Sequence, residues 1–417
     1  MSIVEDRIIV PRPCYEDRVM AWMGRPVIKV LSGIRRSGKS SILFRCKERL
    51  VAQGVPESII LHINMELLAN ERFRDIGLLN AEVHKACEKN GRKLYLFLDE
   101  VQEIPNWEKL AASLLAEDVA DLTVTGSNAH LLAGELATLL SGRYVEFPIY
   151  PLVFRESCDF FSASPSRETF WRFLRSGGFP GLAALDSGEG ARMQYLEALL
   201  DSIVLRDVVS RHKLRDVDLL RRILLFVADS VGSPVSARSL AGFLKSQRRS
   251  ASVESIYNYL DHLSEAFVVD QAPVYDLRGK KLLETGGKIY FTDLGLRHAL
   301  LGYRSSDIGQ YLENIVYLDL KQRGWEVSVG RLGEWEVDFV AQKGAEKCYI
   351  QVAYLTPDKE TLDRELRALR DIPDNYPKYL VTMDEIPPSS EEGIHRMSIE
   401  KFLLQQDDAP TLAAAAV

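Results

Sequence analysis

The sequence has no apolar run near the roughly 18 residues that a membrane-spanning helix needs. Its first ten residues, MSIVEDRIIV, carry acidic side chains early and no cationic segment, so we expect no secretory signal. Five cysteines occur among 417 residues, scattered and without a CxxC or a Cys/His spacing typical of zinc. These absences predict a reduced, cytoplasmic protein with no membrane partner.

Basic charge is not in excess either. The chain has 52 Lys and Arg against 59 Asp and Glu, a net charge of −7. This balance excludes a surface coated in basic charge, although it leaves room for a local basic patch. Hydrophobic residues make up 46% and charged residues 27%, which excludes a disordered, collagen-like or fibrous chain. At roughly 150 residues per domain, the length predicts two or three domains.

Residues 27–140 alternate short apolar runs with amphipathic stretches. This alternation predicts a parallel sheet with right-handed crossovers. The expected strands are 27–31, 59–63, 94–98 and 122–125, and the expected helices are 40–53, 76–89 and 106–117.

The segment from Gly33 to Ser40 matches the phosphate-loop pattern GxxxxGK[ST], between a predicted strand and a predicted helix. Its glycines let successive backbone N–H groups turn toward phosphate, and the helix start adds a positive dipole end. Lys39 can reach the β- and γ-phosphates of ATP, and Ser40 can bind Mg²⁺. The alternative is a plain glycine-rich turn. The predicted nucleotide-binding residues are Gly33, Ile34, Arg35, Arg36, Ser37, Gly38, Lys39, Ser40 and Ser41.

A second strand ends in two acids. The apolar run 94–98 is followed by Asp99 and Glu100, the Walker B pattern. Ligands of open α/β sheets bind at the carboxyl ends of the strands. Asp99 is therefore predicted to hold Mg²⁺, and Glu100 to orient and polarise the attacking water. The alternative is an ordinary solvated strand end.

Two further positions are candidates for contact with the γ-phosphate or the attacking water. One is the polar end of the strand at 122–125, with Asn128 as the catalytic candidate beside Thr125 and Ser127; a turn capped by these side chains is the alternative. The other is Arg143, which could stabilise the γ-phosphate charge in cis or across a subunit boundary. The alternative for Arg143 is a surface salt bridge.

These motifs resemble those of the prokaryotic AAA+-like ATPases. The shared pattern includes Gly33–Ser40, Leu98-Asp99-Glu100, Thr125–Asn128, Gly142-Arg143, the Pro-Leu-x-Phe-Arg-Glu segment at 151–156, Gly-Gly-Phe-Pro at 177–180 and Leu-Arg-Asp-Val at 205–208. The resemblance covers nearly the whole chain and implies an α/β fold with three parts. These are an AAA+-like P-loop domain (1–158), a helical and winged-helix domain (159–300) and a restriction-endonuclease-like α/β domain (301–406), followed by a disordered tail (407–417).

The middle segment concentrates positive charge. Residues 204–250 hold ten Lys and Arg against four Asp and Glu. Helices at 218–231, 236–246 and 252–266, followed by a hairpin-like segment at 267–292, predict a winged helix-turn-helix. DNA is therefore the expected partner, through the basic residues of 206–249, the hairpin tip at 279–281 and the third helix. That helix would present Ser252, Ser255, Tyr257, Asn258 and His262.

Two alternatives stay open for this segment. The domain could serve only packing or assembly, and the basic residues at 206–222 could line the nucleotide of a neighbouring subunit.

The C-terminal segment resembles the PD-(D/E)xK nuclease core. Glu313 lies on a predicted helix, Asp338 on a strand, and Gln351 with Ala353 on the next strand. Such a site needs carboxylates for Mg²⁺ and a lysine that assists the water. Ala353 occupies the lysine position, and Lys359 or Arg364 would have to substitute. We therefore expect a nuclease-like domain with weak or no cleavage; Glu313 and Asp338 in ordinary salt bridges are the alternative.

Three functions fit these patterns. The first is a Mg²⁺-dependent ATPase that binds DNA, including branched DNA, and remodels it or translocates on it as a homo-oligomer, with a ring as one form. The second is an ATP-dependent DNA nuclease in defence. The third is a nucleotide-dependent switch that acts on a protein partner.

Overall fold

The computed structural model describes residues 9–129, 140, 142–185, 188–385, 387 and 389–405. Contacts divide the chain into two compact units: the first runs to Pro151 and takes in 265–267, and the second holds the rest from Leu152 onward. The domain ends at 158 and 300 stay predictions, and the predicted tail at 407–417 lies outside the described residues. None of the described helices is both long and apolar enough to cross a bilayer.

The first unit is built on a five-stranded sheet whose neighbouring strands are all parallel. Its strands lie in the order β2–β3–β4–β1–β5. The predicted strands and helices of this region are confirmed to within about two residues. Its main elements are α1 (Pro13–Met20), β1 (Ile28–Ser32), α2 (Lys39–Ala52), β2 (Ile60–Asn64), α3 (Ile76–Asn90), β3 (Leu94–Asp99), α4 (Trp107–Ala116), β4 (Ala120–Gly126) and β5 (Tyr144–Pro148).

Both faces of this sheet are buried, which explains why its strands are continuous apolar runs. Val30 and Leu98 pack in a cluster with side chains of α3 and α4. Leu31 and Phe97 pack in another cluster with side chains of α1 and α2. Because successive side chains of a strand point to opposite faces, each short strand contributes to two cores.

The second unit combines helices with an eight-stranded sheet of order β12–β13–β11–β10–β9–β8–β6–β7. Its main elements are α5 (Phe154–Phe160), α6 (Arg167–Ser176), α7 (Glu189–Ile203), α8 (Val217–Asp229), α9 (Ala237–Ser246), α10 (Val253–Glu265), β6 (Val269–Asp276), β7 (Lys281–Phe291), α11 (Leu294–Leu301), α12 (Ile308–Gln322), β8 (Glu326–Leu332), β9 (Trp335–Lys343), β10 (Glu346–Ala353), α13 (Lys359–Arg370), β11 (Lys378–Thr382), β12 (Ser389–Glu391), β13 (Ile394–Ser398) and α14 (Ile399–Leu404).

The hairpin β6–β7 belongs to this sheet. β6 pairs antiparallel with β7 and parallel with β8, with Val274 opposite Val329. The predicted domain end at residue 300 therefore separates strands that share one sheet. Sequence pattern locates a hairpin but does not show which neighbour its outer edge will pair with, because edge pairing depends on backbone groups that every strand presents.

A large apolar cluster joins distant parts of the second unit. Phe154 of α5, Tyr290 of β7, Ile315 of α12 and Phe339 of β9 all contribute to it. Phe154 belongs to the Pro-Leu-x-Phe-Arg-Glu segment that the sequence placed at the end of the ATPase domain. The same cluster brings α12 against β7 and β9, and so sets the position of Glu313.

Candidate nucleotide-binding site

The loop between β1 and α2 needs its two glycines. Gly33 has a φ of +146°, and a Cβ added there would lie 2.2 Å from the carbonyl oxygen of Ile149. Gly38 has a φ of +101° and begins the 14-residue helix α2 without a side-chain cap. Other residues would strain the loop at either position. A helix start without a side-chain cap, with its N–H groups and positive dipole end, is suited to bind an anion.

Lys39 and Ser40 form the first turn of α2. Lys39 is buried, and its Nζ donates hydrogen bonds to the carbonyl oxygens of Gly33 and Ile34 at 2.9 and 3.1 Å. Ser40 Oγ donates to Oδ1 of Asp99 at 3.0 Å. Mg²⁺ prefers oxygen ligands and is usually held by one or two protein groups together with substrate phosphates. The serine hydroxyl and the carboxylate therefore fit a magnesium–triphosphate complex.

Asp99 is held by both neighbouring strands. It ends β3 and is fully buried. Thr125 Oγ1 on β4 donates to Oδ1 of Asp99 at 2.5 Å, and Asn64 Nδ2 on β2 donates to its Oδ2 at 3.1 Å. Asn64 was not predicted, although a polar residue at the end of an apolar strand was a signal for it. These bonds orient the carboxylate toward the loop side of the sheet edge, where Ser40 lies.

Glu100 has a left-handed backbone with a φ of +56° and is 8% exposed. Its N–H donates to Thr125 Oγ1 at 2.9 Å, and its carboxylate accepts a hydrogen bond from the Gln102 side chain. Gln102 Nε2 also lies 3.5 Å from Ser127 Oγ. Gln102 thus connects Glu100 with the end of β4. Gln102 was not predicted, because a glutamine two residues after an acidic pair has no motif of its own.

The other predicted residues of β4 reach the same edge. Ser127 and Asn128 are buried immediately after β4, which lies between β3 and β1. Thr125 Oγ1, one of the candidates for the γ-phosphate or the attacking water, bonds to Asp99 and Glu100. Asn128 and Ser127 stay candidates for contact with the γ-phosphate or the attacking water, as the sequence predicts.

The remaining loop residues differ in exposure. Arg36 is exposed, with a left-handed φ of +68°, and Arg35 lies 3.4 Å from Glu66. Ile34 is buried and Ser41 is exposed. Ile34 can thus contribute to phosphate binding mainly through its backbone. Arg36 can also contribute the charge of its exposed side chain.

Arg143 lies away from these residues. It is exposed, it precedes β5, and its carbonyl oxygen accepts a hydrogen bond from Ile28 N at the start of β1. Because β5 and β1 are parallel, this is the amino edge of the sheet, whereas the phosphate loop follows the carboxyl end of β1. Five strand residues, about 16 Å, separate the two edges. Arg143 thus lies at the sheet edge opposite the phosphate loop, and its role in cis or across a subunit boundary stays a prediction.

Arg12 supports the loop from the N-terminal segment and was missed by the sequence analysis. Its guanidinium donates to the carbonyl oxygens of Ser37 and Tyr150, each at 3.0 Å, and is 4% exposed. Its own N–H donates to Glu16 Oε1 at 2.7 Å. The planar guanidinium can bond two carbonyl groups at once, which a lysine cannot do with the same geometry. No local pattern marks an arginine that acts on a loop 25 residues away.

If the site hydrolyses ATP as its motifs predict, replacing Gln102 with Ala is expected to lower kcat about tenfold and to leave KM nearly unchanged. The reason is that a hydrogen bond to a charged group contributes about 1.5–3 kcal/mol, and this one orients Glu100 rather than the nucleotide. Steady-state kinetics of Gln102→Ala and Gln102→Asn measure the effect. A rise in KM with unchanged kcat would contradict this positioning role.

The predicted C-terminal residues also come together. Asp338 N donates to Gln351 Oε1 at 3.3 Å, and Lys288 Nζ lies 2.8 Å from Glu313 Oε1 and 3.5 Å from Asp338 Oδ1. Burial raises the pKa of both Glu313 and Asp338 above ordinary values, and the charge of Lys288 opposes that rise. Lys288 was not predicted, since β7 carries no nuclease motif. Its third partner, Glu336 on β9, was not predicted either.

The predicted lysine substitutes do not join this cluster in the described contacts. Lys359 begins α13 and is exposed, and Arg364 pairs with Glu365 at 3.0 Å. Ala353 is buried in an apolar cluster with Leu366. The one lysine that reaches the carboxylates thus comes from the hairpin strand β7, among the residues that the structure describes.

The basic segment is largely exposed. Asp218 pairs with Arg222 at 2.8 Å and with Arg249 at 2.7 Å, which reduces the local excess of positive charge. Arg211 and Arg222 are half-buried. The other eight basic residues of the segment are exposed, namely Arg206, Lys213, Arg215, Arg221, Arg238, Lys245, Arg248 and Arg249.

The third helix of this segment, α10, presents part of the predicted polar face. Tyr257 is 48% exposed and Asn258 is exposed. Ser252 and Ser255 instead bond to each other at the start of the helix, since Ser255 N donates to Ser252 Oγ at 3.0 Å. His262 is half-buried, with its ring stacked on His212 at 3.7 Å between centroids. Tyr257 and Asn258 are therefore the strongest candidates for contact with a partner.

Comparison with known proteins agrees with this geometry. Residues 25–158 match the family described as AAA domain, and residues 167–307 match a domain of unknown function. An uncharacterized protein of Haemophilus influenzae is 36% identical over 403 residues, which is 96% of this chain and 100% of the relative. An uncharacterized protein of Methanocaldococcus jannaschii is 29% identical over 395 residues, covering 89% of this chain and 84% of the relative.

A solved structure supports the fold. The Walker-type ATPase PABY2304 of Pyrococcus abyssi superposes with a TM-score of 0.50 and 16% identity, covering 72% of this chain and 97% of that chain. At this identity the similarity is one of fold alone.

Proposed function

This chain belongs to the same family as its Haemophilus influenzae relative and carries an AAA domain at residues 25–158, and from that premise we propose that it is a Mg²⁺-dependent ATPase that acts on DNA. It remodels duplex or branched DNA, or translocates on it, as an oligomer. The observation that carries the ATPase part is the meeting of Lys39, Ser40, Asp99 and Glu100 at one sheet edge beside the uncapped start of α2.

Each residue has a distinct role in this proposal. Bound magnesium and triphosphate would supply the electrophilic phosphorus and a neutralised leaving group. Ser40 and Asp99 would hold the metal, and Lys39, which bonds to the Gly33 and Ile34 carbonyls, would donate to phosphate oxygens. Glu100 takes a proton from the attacking water. Asn128 orients the water or the γ-phosphate.

The DNA part rests on the second unit. Helices α8, α9 and α10 followed by the hairpin β6–β7 have the element order of a winged helix-turn-helix. Exposed arginines and lysines along this segment provide the charge that a phosphate backbone attracts. We interpret the sheet of β8–β11 with α12 as the nuclease-like domain, supported by the proximity of Glu313, Asp338 and Gln351.

The experiment measures ATP turnover with and without duplex and branched DNA, and DNA affinity by fluorescence anisotropy at several salt concentrations. The variant Arg238→Ala/Lys245→Ala/Arg248→Ala should lower the salt slope by about two to three, because each lost phosphate contact removes about one unit. The matched control is Lys85→Ala/Lys89→Ala, two exposed lysines of α3.

The outcomes separate the two parts of the proposal. ATP turnover without any DNA binding at low salt rejects the DNA part and favours the switch that acts on a protein partner. An equal loss of affinity in the control variant also rejects the proposed surface. Absence of ATP turnover under all conditions rejects the ATPase part.

We propose further that Arg143 serves the nucleotide of a neighbouring copy in the oligomer. Its exposure at the amino edge of the sheet supports this role. Mixing Glu100→Gln protein with Arg143→Ala protein should restore turnover, because some sites would then combine an intact Glu100 with an intact Arg143 from the next copy. No recovery in mixtures that co-elute as oligomers with a non-hydrolysable ATP analogue would reject it.

A further inference from the structure

Lys288 lies at the centre of the acidic cluster of the second unit. It is on β7 and is 3% exposed. Its Nζ lies 2.8 Å from Glu313 Oε1, 2.7 Å from Glu336 Oε1 and 3.5 Å from Asp338 Oδ1. An ammonium group has three hydrogen-bond donors, and here three carboxylates surround it.

Strand periodicity explains how this arrangement forms. Glu336 and Asp338 are two residues apart on β9, and Lys288 and Tyr290 are two residues apart on β7, so the members of each pair point to the same face. Tyr290 Oη donates to Glu313, the partner from α12. The cluster thus joins two strands and a helix.

Other atoms that a metal would need already have protein partners. Val352 N donates to Oδ2 of Asp338 at 2.9 Å, so both oxygens of this carboxylate have a partner within the chain. Gln351 Oε1 accepts from Asp338 N at 3.3 Å, and its Nε2 donates to Glu365 at 3.2 Å. Mg²⁺ demands near-ideal octahedral geometry at about 2.0–2.1 Å from its ligands. A metal bound to these three carboxylates would have to displace Lys288 Nζ, which lies 2.7–3.5 Å from their oxygens.

The charge of Lys288 is also retained. Carboxylate oxygens of Asp338, Glu313 and Glu336 lie within 3.5 Å of its Nζ, and nearby negative charges favour the charged form of a lysine. Removing one partner of a buried ion pair is costly, because it leaves an uncompensated charge. Carboxylates without Lys288 would therefore need another cation or protons.

We infer that the ammonium of Lys288 is the resident cation of the cluster formed by Glu313, Glu336 and Asp338, and that it occupies the position a divalent metal would take. In the native protein this cluster binds no Mg²⁺ or Mn²⁺ and supports no metal-dependent cleavage. It joins the hairpin strand β7 to α12 and β9. The inference is independent of the ATPase and DNA proposals.

The test is calorimetric titration with Mn²⁺ in the absence of nucleotide. The Asp99→Ala background removes the carboxylate of the phosphate-loop metal site. In this background we expect no Mn²⁺ binding when Lys288 is present, and binding of about one Mn²⁺ per chain for Lys288→Met. Adding Asp338→Asn to the Lys288→Met protein should abolish that binding.

Two results would overturn the inference. One is Mn²⁺ binding by the parent that Asp338→Asn removes, which would place a metal beside the native lysine. The other is a Lys288→Met protein with a native circular dichroism spectrum that binds no Mn²⁺. Should Lys288→Met not fold, the parent and its Asp338→Asn variant still test the inference. Mn²⁺ binding by the parent that is lost in Asp338→Asn overturns it, and absence of Mn²⁺ binding by the parent supports it.

Discussion

Glu100→Gln is expected to lower kcat for ATP hydrolysis about 100-fold or more and to leave ATP affinity nearly unchanged. A positioned general base contributes about 10²–10⁴-fold to a rate. Glutamine keeps the size of the side chain and its hydrogen bond with Gln102, but it cannot accept the proton of the attacking water. Because Glu100 has no proposed contact with the nucleotide, binding should not depend on its charge. Turnover kinetics and equilibrium binding of a labelled ATP analogue measure the two quantities.

The matched control is Glu103→Gln. Glu103 is three residues away and pairs with Arg74 at 3.3 Å, with 29% of its side chain exposed. Its substitution should leave kcat within about twofold, as expected for surface ion pairs of small energetic effect. A Glu100→Gln protein with normal turnover would require another base. A matching loss in Glu103→Gln would indicate a local folding defect instead.

Lys39→Ala is expected to weaken ATP binding about 100-fold and to abolish detectable hydrolysis. The lost interaction is a charge-assisted contact of about 3 kcal/mol in a buried loop, and 1.4 kcal/mol corresponds to a factor of ten. The substitution also removes the two hydrogen bonds that Lys39 makes to the carbonyl oxygens of Gly33 and Ile34. Calorimetric titration with ATP and Mg²⁺ measures the affinity, and release of phosphate measures the rate.

Lys47→Ala is the control for this substitution. Lys47 lies two turns further along α2 and is half-buried, so the control removes a lysine from the same helix away from its start. Its affinity for ATP should equal that of the parent protein. Should Lys39→Ala bind ATP as tightly as the parent, the loop would not be the nucleotide site, and the proposed roles of Ser40 and Asp99 would be lost with it.

Local patterns were sufficient for the elements of the first unit. The apolar runs at 27–31 and 94–98 form buried parallel strands, and GxxxxGK[ST] lies between a strand and a helix as predicted. A strand that is buried on both faces needs a run of apolar residues, and a loop that binds an anion at a helix start needs glycines at fixed spacing. Each requirement concerns only a few neighbouring positions. Such local patterns can be recognised in the sequence without knowledge of the tertiary contacts.

Contacts between different strands and helices could not be predicted from local patterns. Gln102 is close to Glu100 in sequence, but its positioning role also involves Ser127, which follows a different strand. Which edge strand would pair with the hairpin β6–β7 was likewise undetermined, because backbone hydrogen-bonding groups are the same in every strand.

The amino-acid sequence by itself determined the parallel α/β unit, the phosphate loop with Lys39 and Ser40, and the acidic pair Asp99 and Glu100, since each depends on residues adjacent along the chain. Only the tertiary structure decided that Arg12 supports the loop, that Arg143 lies at the opposite sheet edge, and that Lys288 fills the acidic cluster. Those facts depend on which side chains meet across strands and helices. The energetic effect of a buried charge in particular depends on the partners that surround it.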